Sequence, residues 1–385
     1  MAGPGRHLTR RGVLAAGSGA AAAAAVGALG RPRRPAEGTA TAPAAYAAPA
    51  ALTPQQQAGQ RVVLSYSGTT VPQSLLDQIS AGQAAGVIFF GGNISSLAQI
   101  TSAVAQLRQA NQSSPNPAPL LLMTDQEGGQ IRRLPGAPVQ SAKQIGASAD
   151  PAGAAATAGT GAGNLLRSVG MNVNLAPVLD VYRTAGDFED QYERSYSTDP
   201  EVVSVCGSSF ITAQRATGVA ATAKHFPGLG PASATQNTDL RPVTLRTSLS
   251  ELRNIDEIPY VAALTAGVDL VMVSWAIYSR LDSAHPAGLS PTVVQSELRD
   301  RFSFTGVTVT DAINAGALSA LGTPGQNAVT AAAAGMDLIL DASQDVTKGK
   351  AVVSALATAL QNGTLDATAS AAALGRVNAL RNRLF

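Results

Sequence analysis

Several charged side chains fall in short, polar clusters along the chain. Asp125 and Glu127 stand in Thr124-Asp-Gln-Glu-Gly-Gly129, with Arg132 and Arg133 close behind. Asp180, Arg194, the adjacent pair Lys224-His225, and Asp311 follow. Carboxylates interleaved with Lys, Arg and His bind sugar hydroxyls well. One carboxylate placed under an anomeric carbon also serves as a nucleophile for glycoside cleavage. Each residue has a plainer reading. Asp311, before Ala312-Ile313-Asn314, suits a helix cap as well as catalysis. Lys224 and His225 suit a buried pair that satisfies loop carbonyls, and Arg133 and Arg194 suit structural ion pairs. Trp275, the single tryptophan, suits packing as well as a sugar-stacking platform. Asp180 is better placed to hold its long loop than to touch substrate.

Other chemistries lack their residues. The single cysteine, Cys206, rules out an intramolecular disulfide framework and a Cys-rich metal site. Of three histidines, one is His7, which leaves His225 and His285 for the folded part and excludes a three-His metal centre within one subunit. Gly228-Leu-Gly230 and Gly91-Gly92 read as turns rather than phosphate loops. No G-x-S-x-G elbow accompanies a Ser-His-Asp hydrolase, and His285 in its Pro/Gly loop reads as a solvated surface residue.

The elements that must carry these residues repeat. Eight β-rich runs are predicted at Arg61–Tyr66, Gly86–Phe90, Leu120–Thr124, Met171–Ala176, Val219–His225, Val268–Ser274, Gly306–Asp311 and Met336–Leu340. Helical stretches such as Leu97–Asn111, Leu249–Ala266 and Val346–Gln361 lie between them. Eight β–α units point to an α/β protein, a single-domain (β/α)8 TIM-type barrel, with a doubly wound open sheet as the alternative. A barrel places its chemistry at the carboxyl ends of the strands, which is where the polar clusters fall.

Residues 1–47 read as a twin-arginine export signal: Arg10-Arg11 precede an Ala-rich apolar run, and Ala45-Tyr-Ala47 offers a small-x-small cleavage site. The barrel then occupies residues 48–385. Residues 1–47 hold six of the 27 basic and one of the 25 acidic residues, so the formal +2 becomes −3 for the remainder. That balance argues against nucleic acid and against a stable membrane partner, while the export signal implies an extracellular or cell-wall location.

The motifs resemble those of glycoside hydrolase family 3. Leu121-Leu-Met-Thr-Asp125-Gln-Glu-Gly-Gly-Gln-Ile-Arg-Arg133-Leu is similar to the family's T-D-x-E-G-G-x-V-x-R-L signature. Asn172-Val-Asn-Leu-Ala-Pro-Val-Leu-Asp180, Glu193-Arg194-Ser-Tyr-Ser, Ala223-Lys224-His225-Phe-Pro-Gly and Gly306-Val-Thr-Val-Thr-Asp311-Ala follow in the family's order. The length after the last strand resembles the single-barrel bacterial β-N-acetylhexosaminidases, which act on cell-wall fragments. The resemblance implies a retaining, exo-acting hydrolase with Asp311 as nucleophile and Asp125, Arg133, Arg194, Lys224 and His225 on the sugar hydroxyls. It implies a carbohydrate substrate and neither metal nor organic cofactor.

One motif departs from the family. The loop after Lys224-His-Phe-Pro-Gly228 normally carries Asp-x-His, whose histidine is the general acid/base. Here it runs Leu229-Gly-Pro-Ala-Ser-Ala-Thr-Gln-Asn-Thr-Asp239, without a histidine. Asp239 is the provisional substitute. The alternatives are a catalytically impaired glycan-binding protein of the same fold, or a β-glucosidase-type specificity.

Overall fold

Eight short parallel strands close into a barrel in strict chain order. They are β1 (Val62–Leu64), β2 (Gly86–Ile88), β3 (Leu121–Thr124), β4 (Val173–Asn174), β5 (Ala220–Phe226), β6 (Leu270–Val273), β7 (Val307–Ala312) and β8 (Leu338–Leu340). Closure comes from β1 pairing with β8, Val62 opposite Ile339 and Val63 opposite Leu340. Each lies within a strand expected from sequence or extends past one by a single residue. The computed structural model describes residues 51–385; the expected export signal lies outside the described residues.

The strands are buried on both faces, so they read as continuous apolar runs rather than alternating ones. Alternate side chains nevertheless serve two cores. Val63, Leu121, Met123, Val173, Leu270, Val307, Val309 and Leu338 fill the barrel interior. Val62, Leu64, Val87, Leu122 and Val271 point outward into the layer shared with the helices. Burying both faces needs the outer ring of helices, and Leu97–Asn111 and Val346–Gln361 form as expected.

The stretch Leu249–Ala266 departs from expectation. It splits into a turn at Leu249–Glu251, a wide π-type turn at Leu252–Asp256 and a helix at Ile258–Thr265. Pro259 lacks the N–H that would continue the ladder, and the chain instead bonds Glu257 N to Leu252 O at 2.9 Å.

The amino-terminal end of the barrel is plugged by the last helix, Ala367–Arg381. Arg381 is fully buried there and donates to the carbonyls of Ala118 (2.6 Å) and Pro119 (2.8 Å). The opposite end is open, and it carries the site.

Candidate active site

A cavity of about 300 Å³ opens at the carboxyl ends of the strands. Asp125, Glu127, Arg133, Arg194, Lys224, His225, Asp239 and Asp311 all line it. These eight residues, all singled out from sequence, therefore meet in one place. Arg132 does not line the cavity; its guanidinium turns to the carbonyl of Gly136 at 3.0 Å.

Asp125 and Glu127 leave β3 on a tight ribbon, Gln126–Gly128 paired with Ile131–Arg132. Gly128 and Gly129 turn it with φ of +118° and +53°, and a Cβ on Gly128 would sit 2.3 Å from the Gln140 carbonyl. The ribbon is pinned from β4. Asn174 accepts from Gln126 N (2.9 Å) and donates back to Gln126 O (3.1 Å). Asn172 staples Leu122 N and Leu120 O in the same way, both at 2.9 Å. The two asparagines of the Asn172-Val-Asn174 motif thus act as side-chain strand extensions.

The cations interlock with these acids. Lys224 Nζ lies 2.8 Å from Asp125 Oδ1 and 2.7 Å from Glu127 Oε1. Arg194 grips Glu127 with both ends of its fork, Nε and Nη2 each at 2.9 Å, and turns Nη1 to Glu189 at 2.8 Å. Arg133 approaches Asp125 at 3.8 Å. Burial alone would raise the Glu127 carboxyl, but Arg194 and Lys224 outweigh it and hold it at about 2. Lys224 is likewise buried against its charge, yet Asp125 and Glu127 keep its ammonium above the ordinary lysine value.

Asp180 lies beneath the cavity, wholly buried. Its Oδ1 accepts from Leu229 N (2.6 Å) and His225 N (3.3 Å), and its Oδ2 faces His225 Nδ1 at 2.7 Å. It holds the loop and orients the imidazole, leaving Nε2 as the ring atom available to the cavity. Burial disfavours imidazolium, but Asp180 overrides it, and His225 is raised above its usual value. Glu189, unflagged by the motif reading, completes this layer. Burial, with help from Asp180 and Glu127, raises its carboxyl to about 7 against the pull of Arg194 and His225. Only its place within the loop, five residues before Arg194, hinted at a role.

Ligand atoms of Asp180, Glu189 and His225 lie within 4.8 Å of one another. Asp180 Oδ2 faces His225 Nδ1, Asp180 Oδ1 accepts from the Leu229 N–H, and Arg194 donates to Glu189 Oε1, so the trio forms a hydrogen-bonded layer beneath the cavity.

Asp311 stands next to last in β7, half-buried, and its Oδ1 accepts from Ala312 N at 2.6 Å. It caps no helix, since the next turn, Gly316–Leu318, starts after Ala315. Trp275 is 1% exposed and does not face the cavity; its Nε1 donates to the Ala312 carbonyl at 2.9 Å. Of the two readings of Trp275, packing is the one observed, with the indole bracing the strand end beside Asp311.

The loop that departs from the family pattern is docked. Gly316 N donates to Asp239 O (2.7 Å), and Ala317 N donates to Thr238 O (3.0 Å). The side chain of Asn237 accepts from Asp239 N at 2.8 Å. Asp239 is exposed at the rim, yet the cavity walls strip enough water from it to raise its carboxyl, and the Asp311 carboxylate adds to that shift. His285 is exposed and paired with Asp282 at 2.9 Å, outside the cavity lining. Among the described residues, Asp239 and Asp311 are the cavity carboxylates without an ion-pair partner; Asp125, Glu127 and Glu189 all have one.

The sequence profile described as "Glycosyl hydrolase family 3 N terminal domain" matches residues 49–380. The chain belongs to glycoside hydrolase family 3. It is an O-glycosyl hydrolase, and its described residues form one barrel. A protein from Arthroderma benhamiae named as an uncharacterized secreted glycosyl hydrolase is 45% identical over 344 residues, 89% of this chain and 97% of that one. A β-hexosaminidase of Xylella fastidiosa is 34% identical over 273 residues, 68% of this chain and 77% of its own length. Among solved structures, a β-N-acetylhexosaminidase from Beutenbergia cavernae superposes with a TM-score of 0.78 at 31% identity, covering 86% of this chain and 99% of that one. A family 3 β-N-acetylglucosaminidase from a Paenibacillus species gives 0.81 at 32% identity over 86% of this chain. This family 3 chain spans 63% of that longer protein.

Proposed function

We propose that the protein is an exported, retaining, exo-acting β-N-acetylhexosaminidase of cell-wall or related glycans, with Asp311 as nucleophile and Asp239 as acid/base. The observation that carries this reading is the contrast among the cavity carboxylates. Asp125 and Glu127 are neutralised by Lys224, Arg133 and Arg194 and suit hydroxyl binding. Asp311 and Asp239 lack cation partners among the described residues and differ in setting. A cavity of about 300 Å³ closed below by the barrel core suits one sugar ring, which supports attack at a chain end.

In the first step the Asp311 carboxylate bonds to the anomeric carbon as the glycosidic C–O bond breaks. The leaving oxygen takes the Asp239 proton. Forming the glycosyl ester removes the Asp311 charge, which lowers the Asp239 carboxyl and fits it to act as base. Water then gives a proton to Asp239 and its oxygen to the anomeric carbon, releasing Asp311. Asp125, Arg133, Arg194, Lys224 and His225 bind the sugar hydroxyls throughout. The names of the relatives support the hexosaminidase specificity, and the name of the Arthroderma protein supports export.

Trapping with 5-fluoro glycosyl fluorides, N-acetylglucosaminyl and glucosyl, tests the assignment. Peptide mass spectrometry is expected to find the adduct on Asp311, and Asp311→Ala to lower kcat at least about 10⁴-fold. The sugar that labels reports specificity. Sugar binding without adduct or turnover would sink the enzymatic role and leave a glycan-binding protein.

A further inference from the structure

The cavity has a feature that hydroxyl binding and the two proposed catalytic carboxylates leave unused. Tyr192 is the only exposed aromatic side chain among the described residues, at 40% relative exposure, and it lines the cavity with Asp311 and Asp239. Every other described aromatic ring is buried or half-buried. A tyrosine in the lining of a polar cavity offers an apolar ring face that a ligand can cover while its hydroxyl stays in water.

Its setting is rigid. The Phe188 ring stands edge-on to it, centroids 6.3 Å apart and planes at 85°. Phe188 N donates to Ala232 O at 3.0 Å, and the side chain of Gln191 donates to Ala234 O at 3.3 Å. Those carbonyls belong to the loop that ends in Asp239, so the Tyr192 turn and the proposed acid/base loop are strapped together. Asp190 fixes the same turn through Lys143 at 2.7 Å and Gly186 N at 2.8 Å.

Depth assigns the occupant. The groups suited to sugar hydroxyls, Glu127, Lys224 and His225 among them, are buried, whereas Asp239 and Tyr192 lie exposed at the rim. A leaving group departs outward, past the residue that protonates it. We infer that Tyr192 is a stacking platform for the leaving-group sugar, a second pyranose ring whose apolar face lies against the phenol. This inference rests on the proposed glycosidase activity. It makes the enzyme selective for oligosaccharides over glycosides with small leaving groups.

The test compares a β-1,4-linked homodisaccharide with the glycosyl fluoride of the same sugar, in the N-acetylglucosamine and glucose series, using whichever series the wild type turns over faster. The fluoride presents the same reacting ring and no second ring. Tyr192→Ala is expected to lower the disaccharide-to-fluoride ratio of kcat/KM about tenfold, and Tyr192→Trp to restore it to within about threefold. A ratio that stays within about twofold of wild type in Tyr192→Ala, or falls equally in Tyr192→Trp, overturns the platform while the glycosidase stands. A wild type that turns over neither fluoride overturns the glycosidase reading and this inference with it. Tyr192 is exposed, and thermal melts of both variants confirm that the ratios come from folded protein.

Discussion

The loop that ends in Asp239 lacks the family's Asp-x-His, and Asp239 as the proposed substitute for that histidine has consequences at the residue scale. A carboxyl donates a proton only while it holds one. Confinement in the cavity and the neighbouring Asp311 charge raise the Asp239 carboxyl, so both push toward the protonated form. The sign is therefore fixed: kcat/KM is expected to fall as pH rises through the raised Asp239 value. Asp239→Asn is expected to abolish that alkaline limb in a pH profile. It is expected to cost about 10²–10⁴-fold on poor leaving groups and less than about tenfold on aryl glycosides that need no protonation. Equal losses on good and poor leaving groups would remove Asp239 from the role. Glu189 shows the limit of residue-by-residue reading. A lone glutamate in a long loop carries no motif, and its contact with Arg194 depends on how residues 181–195 fold back.

At the scale of elements, the strand ends were legible and the loop contacts were not. Runs rich in Val, Ile, Leu, Met or Ala mark most of β1 to β8, because a strand buried on both faces has little room for polar residues. The docking of the Asp239 loop against the turn at Gly316–Leu318 has no such signature. It depends on Gly316, where a Cβ would stand 2.3 Å from the Leu240 carbonyl. Gly316→Ala is expected to push the Asp239 loop off that turn. Turnover of poor leaving groups should then fall by about 10-fold or more, while labelling of Asp311 by fluoro sugars persists. Parallel loss of both would place the damage at the nucleophile instead. The broken helix at Leu249–Thr265 is the converse case, since Pro259 was visible in the sequence and sufficient to interrupt the run.

For the molecule as a whole, one end of the barrel is chemistry and the other is stability. Arg381 plugs the closed end with its guanidinium fully buried on carbonyls of Ala118 and Pro119 and on the Gln60 side chain. Arg381→Ala leaves these acceptors without a donor and is expected to cost about 3 kcal/mol, read as a lower Tm. Turnover at low temperature should survive, because the site lies at the opposite end. A loss of turnover with an unchanged Tm would contradict this division. Residues 1–47 carry a separate expectation. Arg10→Lys with Arg11→Lys is expected to retain the protein inside the producing cell, and unaltered secretion would remove the twin-arginine route.

The sequence by itself determined the barrel, the charged lining of the cavity apart from Glu189 and the missing histidine, because these follow from strand periodicity, residue type and order. It carried the reaction class as well, since five motifs in family order leave little room for another. Tertiary structure decided which groups are neutralised and which are left as lone carboxylates. Lys224 meets Asp125 across 99 residues, and Arg194 meets Glu127 across 67. Pairings at that range depend on how closed strands bring their ends together, and no local pattern encodes them. The same closure turned Trp275 inward as a brace, although it suited a sugar platform when read from the chain alone, and left Tyr192, which the sequence did not single out, at the rim.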